Sequence, residues 1–121
     1  MKSFQRVAAQ GEITIIRLGD VPSNRKMTGT PLKPDGKHFV IGHSETGHHH
    51  VIDATDASVT VLDRAPEGMR ILRAILESPT SLDHQRDHDT HESIALPPGE
   101  YEFRIGREFD PYAEIARRQA D

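Results

Sequence analysis

The chain has no cysteine and no tryptophan, and only four Phe and two Tyr among its 121 residues. Without thiols there is no disulfide framework and no thiolate ligand, so a metal site must be built from imidazole and carboxylate. Imidazole-rich sites of that kind suit zinc, nickel, copper or iron. With 35% hydrophobic residues against 28% charged, the core must be small and made chiefly of Ile, Val and Leu. An excess of positive charge is also missing: 15 Lys and Arg stand against 19 Asp and Glu, a formal net charge of -4. That balance gives no basic footprint for a phosphate backbone, so no nucleic-acid partner is expected. No run approaches the ~20 apolar residues of a membrane span, and the N-terminal stretch MKSFQRVAAQGEITIIRLG lacks the apolar run of a signal peptide. The expectation is a cytoplasmic protein without a membrane partner.

What is present is a series of short β-like runs. A length of 121 residues fits one domain, taken as residues 1–121. After Gly11, the run EITIIRLGD carries Ile13, Ile15, Ile16 and Leu18 and reads as a first strand, closed by Gly19, Asp20 and Pro22. Residues 20–37 hold three prolines and two glycines without a sustained period, and read as a long loop. KHFVIGH, HHHVID and ASVTVLD follow as three strand-like runs separated by SETG and ATD. MRILRAILES fits both templates: Ile71, Leu72, Ile75 and Leu76 form a helical stripe, whereas Leu72, Ala74 and Leu76 alternate as a strand would. Its shortness and the closing Pro79 favour the strand. Residues 83–93 read as a polar loop with three histidines, and Tyr101, Phe103 and Ile105 give the clearest period-2 alternation in the chain. Asp110 as N-cap and Pro111 at the first helical position predict a short C-terminal helix over 110–121, with Arg117 and Arg118 favouring its dipole. The predicted fold is mainly β, a small antiparallel barrel or sandwich of about six strands with that one helix.

Chemistry concentrates in the histidines. Four of the eight lie within residues 42–53, and three more within 84–91. A four-residue SETG turn pairs His43 with His48, Ile41 with His50 and Phe39 with Ile52, and places these six on one face, with Val40, Gly42, His49 and Val51 on the other. Phe39, Ile41 and Ile52 then point into the core, and Glu45, Thr46 and Gly47 form the turn. His48 and His50, one residue apart on a strand, can converge on one ion. A metal site needs three or four ligands, so His84 and His91 would complete the set, with His88 as an alternative and Asp87, Asp89 and Glu92 as further ligands or as acceptors for imidazole N–H groups. The competing reading is solvated histidines in a tight turn and a hydrophilic loop. Ser44, His43 and Asp53 have the composition of a hydrolytic triad, but no nucleophile elbow surrounds them. Neither a phosphate-binding loop nor a G-x-G-x-x-G sequence occurs.

The motifs also resemble a group of small uncharacterised bacterial and prophage-encoded proteins. The matching elements are Gly11-Glu12, Thr46-Gly47-His48-His49-His50, His84 and His91, Leu96-Pro97-Pro98-Gly99-Glu100-Tyr101, and Arg107-Glu108-Phe109-Asp110-Pro111. Gly106 stands where that pattern has Gln, and Phe109 where it has Tyr. The stretch between His84 and His91 is longer than the pattern's, so the resemblance assigns no role to His88. It implies a strand at residues 70–77 and makes His48, His50, His84 and His91 the metal ligands to test. It implies no activity.

Two functions follow. One is a small β-domain that binds a divalent transition metal, zinc first among the candidates, through the two histidine clusters, with or without catalysis. A cupin is only partly matched, because Asp53 is the nearest acid after His50. The other is a non-catalytic, phage-related accessory or assembly module, a homo-oligomer among its forms, whose histidines are solvated or sit at an interface and titrate near the ordinary imidazole value.

Overall fold

The computed structural model describes residues 3–43, 49–85 and 93–106. They form two antiparallel sheets. Ten strands run in chain order as β1 Val7–Gln10, β2 Ile13–Gly19, β3 Thr30–Pro31, β4 His38–Gly42, β5 His50–Asp53, β6 Ala57–Val61, β7 Met69–Leu76, β8 Thr80–His84, β9 Ile94–Leu96 and β10 Gly99–Gly106. One sheet has the order β1-β2-β10-β7-β6-β3 and the other β4-β5-β8-β9. The described strands do not close into a barrel. Residues 110–121, where the sequence predicts a helix, lie outside the described residues.

One cluster of side chains is shared by both sheets. Ile13 and Ile15 of β2, Leu72, Ala74 and Leu76 of β7, and Tyr101, Phe103 and Ile105 of β10 meet Phe39, Ile41, Ile52, Leu82, Ile94 and Leu96 from the smaller sheet. In β2, β7 and β10 these are alternate residues, as period-2 patterning requires. Each fully buried aliphatic or aromatic side chain contributes roughly 1.5 to 3 kcal/mol relative to exposure, which makes this the main source of stability. Met69–Leu76 is a strand, and its alternating set Leu72, Ala74 and Leu76 joins the core cluster, while Ile75 is buried on the other face. Phe39, Ile41 and Ile52 also point into the core as predicted.

Ten strands replace the predicted six because three of the additions are poor in β-branched and aromatic residues. β1 reads Val-Ala-Ala-Gln, and pairs with β2 through a two-residue turn with Gln10 opposite Ile13. Gly11 takes φ 59 there while Glu12 does not take positive φ. That combination belongs to a II′ hairpin turn, where glycine occupies the first central position. β3 lies inside the segment predicted as loop, with Thr30 opposite Val61 and Pro31 opposite Thr60. β8, Thr-Ser-Leu-Asp-His, buries only Leu82 and takes in the start of the predicted polar loop.

The face of β10 turned away from the core carries a buried acid. Glu102 is 4% exposed, and its carboxylate accepts hydrogen bonds from Arg73 Nε at 2.7 Å and from Arg104 Nε. Burial raises its pKa, but hydrogen bonds from Arg104 and Arg73 outweigh that and hold it below the usual glutamate value. A folded-state pKa below the unfolded one means the carboxylate stabilises the fold above about pH 4.3, and that this contribution is lost as the pH falls through the lower folded value. Urea unfolding of Glu102→Gln is expected to show a loss on the order of 1 to 3 kcal/mol at pH 7. The difference from wild type should begin to shrink as the pH falls below about 4.3, where the unfolded chain takes up the proton, and be lost as it passes through the lower folded value. A gap that stays constant down to pH 3 would mean that the charge plays no part.

Candidate functional site

One end of the smaller sheet gathers four of the five described histidines, His43, His49, His50 and His84. Strands β4 and β5 pair with Phe39 opposite Ile52 and Val40 opposite Val51, after which a β-bulge puts Gly42 opposite His50. The predicted partner of His50 was Ile41, so the register slips by one residue at the bulge. The reason is steric. A Cβ on Gly42 would lie 2.8 Å from Ile13 Cδ1 and 3.5 Å from the His50 ring, so the extra residue is accommodated where a side chain is missing. Beyond the slip, the His43 ring meets His49, with centroids 5.1 Å apart in an edge contact, where the sequence predicted His48. The turn residues Glu45, Thr46 and Gly47, like His48, lie outside the described residues.

Strand β8 runs beside β5 and joins the two histidine clusters. His50 is directly opposite His84 in the ladder, Val51 is opposite Asp83, and Gln85 N–H donates to the His49 carbonyl at 2.8 Å. The two rings stack, with centroids 4.3 Å apart and planes 8° from parallel. Of the four predicted ligands, the structure therefore brings His50 and His84 together. His48 and His91 lie outside the described residues, as do His88, Asp87, Asp89 and Glu92. Among the described residues no group of three or more His, Asp or Glu is arranged to hold a metal ion.

Below this pair sits a polar residue that the sequence reading missed. Gln10, at the end of β1, is 2% exposed and His50 is 5% exposed. Gln10 Oε1 lies 2.7 Å from His50 Nδ1, and Gln10 Nε2 donates to the Leu82 carbonyl at 2.9 Å. One carboxamide thus links β1 of the larger sheet with β5 and β8 of the smaller. A signal was present: Ala8 and Gln10 occupy the inward positions of a period-2 run, and a glutamine there needs buried partners. Without β1 recognised as a strand, that position carried no meaning.

Charge at this end is set by partial burial. Arg70 Nη1 reaches the Ile41 carbonyl at 3.5 Å, and burial lowers its pKa. His43 is held below the ordinary imidazole value, first by desolvation and then by the fields of His49 and Arg70. The neutral form of the His43 ring is therefore favoured. The opposite end of the smaller sheet has a cavity of about 430 Å³ lined by His38, Asp53, Asp83 and several hydroxyl side chains. Its acids are engaged within the fold. Asp53 accepts from the Thr55 amide at 2.7 Å, and hydrogen bonding from the Thr55 side chain first and its amide second holds the Asp53 pKa low, while Asp83 accepts from the Ser81 hydroxyl at 2.9 Å.

Residues 9–106 match the model of a family described as a domain of unknown function, DUF8820. Neither a curated protein nor a solved structure matches the chain.

Replacing Gly42 by Ala tests the bulge. The new methyl would displace the end of Ile13, a buried side chain, and press on His50. An overpacked core position typically costs about 1 to 3 kcal/mol, so thermal unfolding should move down by several degrees. The His50 ring resonances should shift with it. An unchanged melting temperature would mean that Gly42 is not packed against β2.

Proposed function

The chain belongs to the DUF8820 family, and we propose from the geometry of its histidine-bearing end that it binds a divalent transition metal, zinc first, with His50 and His84 at the centre of the site. The observation that carries this reading is the pairing of His50 with His84 across the β5–β8 ladder. It brings into contact two clusters that are far apart in sequence. His48 is two residues from His50, and His91 is three residues from Ile94, which pairs with Leu82 beside His84. The proposed ligand set adds His48 and His91, which lie outside the described residues, to the His50–His84 pair. The four are His48, His50, His84 and His91. An ion must lie in the plane of each imidazole that ligates it, and two stacked, near-parallel rings do not share such a point. Joint ligation requires one of the two rings to turn about its side-chain torsions.

The near-parallel stack favours a second reading, in which the imidazoles are packing groups of a non-catalytic accessory or assembly module. A zinc titration separates the two. Metal binding is expected to give a dissociation constant tighter than about 0.1 mM at pH 7.5, equivalent to roughly 5.5 kcal/mol. It should weaken steeply at pH 5.5, where imidazoles take up protons. The variants His50→Ala and His84→Ala should each abolish it, and His91→Ala should weaken it. No saturable uptake at pH 7.5 would leave the accessory reading in place.

A further inference from the structure

We propose that Gln10 is a positioning residue: it fixes His50 as the Nδ1–H tautomer and so presents Nε2 as the ring's electron-pair donor. The assignment of that donor to a metal rests on the metal reading above, whereas the tautomer does not.

The argument begins at a backbone atom. The Leu82 carbonyl oxygen can only accept a hydrogen bond, so the Gln10 atom 2.9 Å from it must be the amide nitrogen. That leaves Gln10 Oε1 facing His50 Nδ1 at 2.7 Å. An amide oxygen can only accept, so Nδ1 must carry the proton. Reversing the carboxamide would set two oxygens against each other at the Leu82 carbonyl, with almost no solvent to compensate, since Gln10 is 2% exposed. In a neutral imidazole protonated at Nδ1, the lone pair lies on Nε2. The orientation is anchored in the ladder itself, because Leu82 stands in β8 two residues before His84, the strand partner of His50. Tautomer, ring direction and sheet pairing are thereby set by one carboxamide.

A hydrogen bond to the non-ligating nitrogen of a metal-binding histidine typically accounts for 10- to 100-fold in affinity. Gln10 also joins the two sheets, so a loss of affinity alone would not separate positioning from folding. The tautomer does separate them. Long-range proton–nitrogen correlation spectra of the ¹⁵N-labelled, metal-free full chain at pH 7.5 are expected to show His50 with a protonated Nδ1 and an unprotonated Nε2. Gln10→Leu should turn this into a tautomer mixture and weaken zinc binding by about 10- to 100-fold. Gln10→Glu, which keeps an acceptor for Nδ1–H but loses the donor to the Leu82 carbonyl, should retain the proton on Nδ1 while lowering the stability of the fold. The proposal is overturned if wild-type His50 is protonated at Nε2, a measurement that needs no variant, or if Gln10→Leu leaves a single Nδ1–H form. Wild-type protein with the expected tautomer but no zinc uptake would remove the metal reading alone.

Discussion

A single buried carboxamide ties the two sheets together at the end where the histidines collect. Apolar packing between sheets is broad and has no preferred direction, so it tolerates small sliding of one layer over the other. The Gln10 bridge does not tolerate it, because one end is fixed on the Leu82 carbonyl and the other on His50. A buried polar group that loses its partner costs about 1 to 3 kcal/mol, which turns a minor displacement into a large energetic event. The II′ turn at Gly11 and Glu12, immediately after Gln10, fixes where β1 ends and hence where that amide lies. The bulge at Gly42 has the matching effect on β4, bringing backbone against Ile13 and setting where His50 falls.

The strands that are plain in the sequence are those with large side chains at alternate positions. Tyr101, Phe103 and Ile105 in β10, and Phe39 and Ile41 in β4, face the core as their spacing implies. Residues 69–76 could be read with either period, and the strand is the form that buries Leu72, Ala74 and Leu76 together. The strands that escaped notice have one or two small or isolated apolar residues. In β8 only Leu82 is buried, and β1 offers only Ala8 beside its glutamine. Such strands exist because a neighbouring ladder supplies the hydrogen bonds, a tertiary effect with no local signature.

The histidine-bearing end was legible to the extent that its residue types and clusters could be named, but not in how those clusters meet. His50 and His84 touch because β8 is a strand, and β8 was hidden at the edge of a polar run. The expected partner of His50 was wrong by one residue because a bulge changes the count on one side of a hairpin. Gly42 inside an apolar run was the available sign, since an isolated glycine in a strand marks a bulge or a close approach. Gln10 was missed for a different reason. Its role depends on a carbonyl 72 residues away.

The two-residue strand β3 gives the larger sheet a direction of growth. Leu32 N–H bonds back to the Val59 carbonyl, so the nitrogen of Pro31 points outward from the sheet, where it has no hydrogen to offer. A further strand laid along that side would meet a gap in its hydrogen-bond ladder at once. At the other margin, β1 keeps ordinary peptide groups, and its first residue, Val7, is 58% exposed. Among the described residues the six-stranded sheet is therefore an asymmetric template: a proline interrupts the hydrogen-bonding row along one border, whereas peptide groups continue along the β1 border.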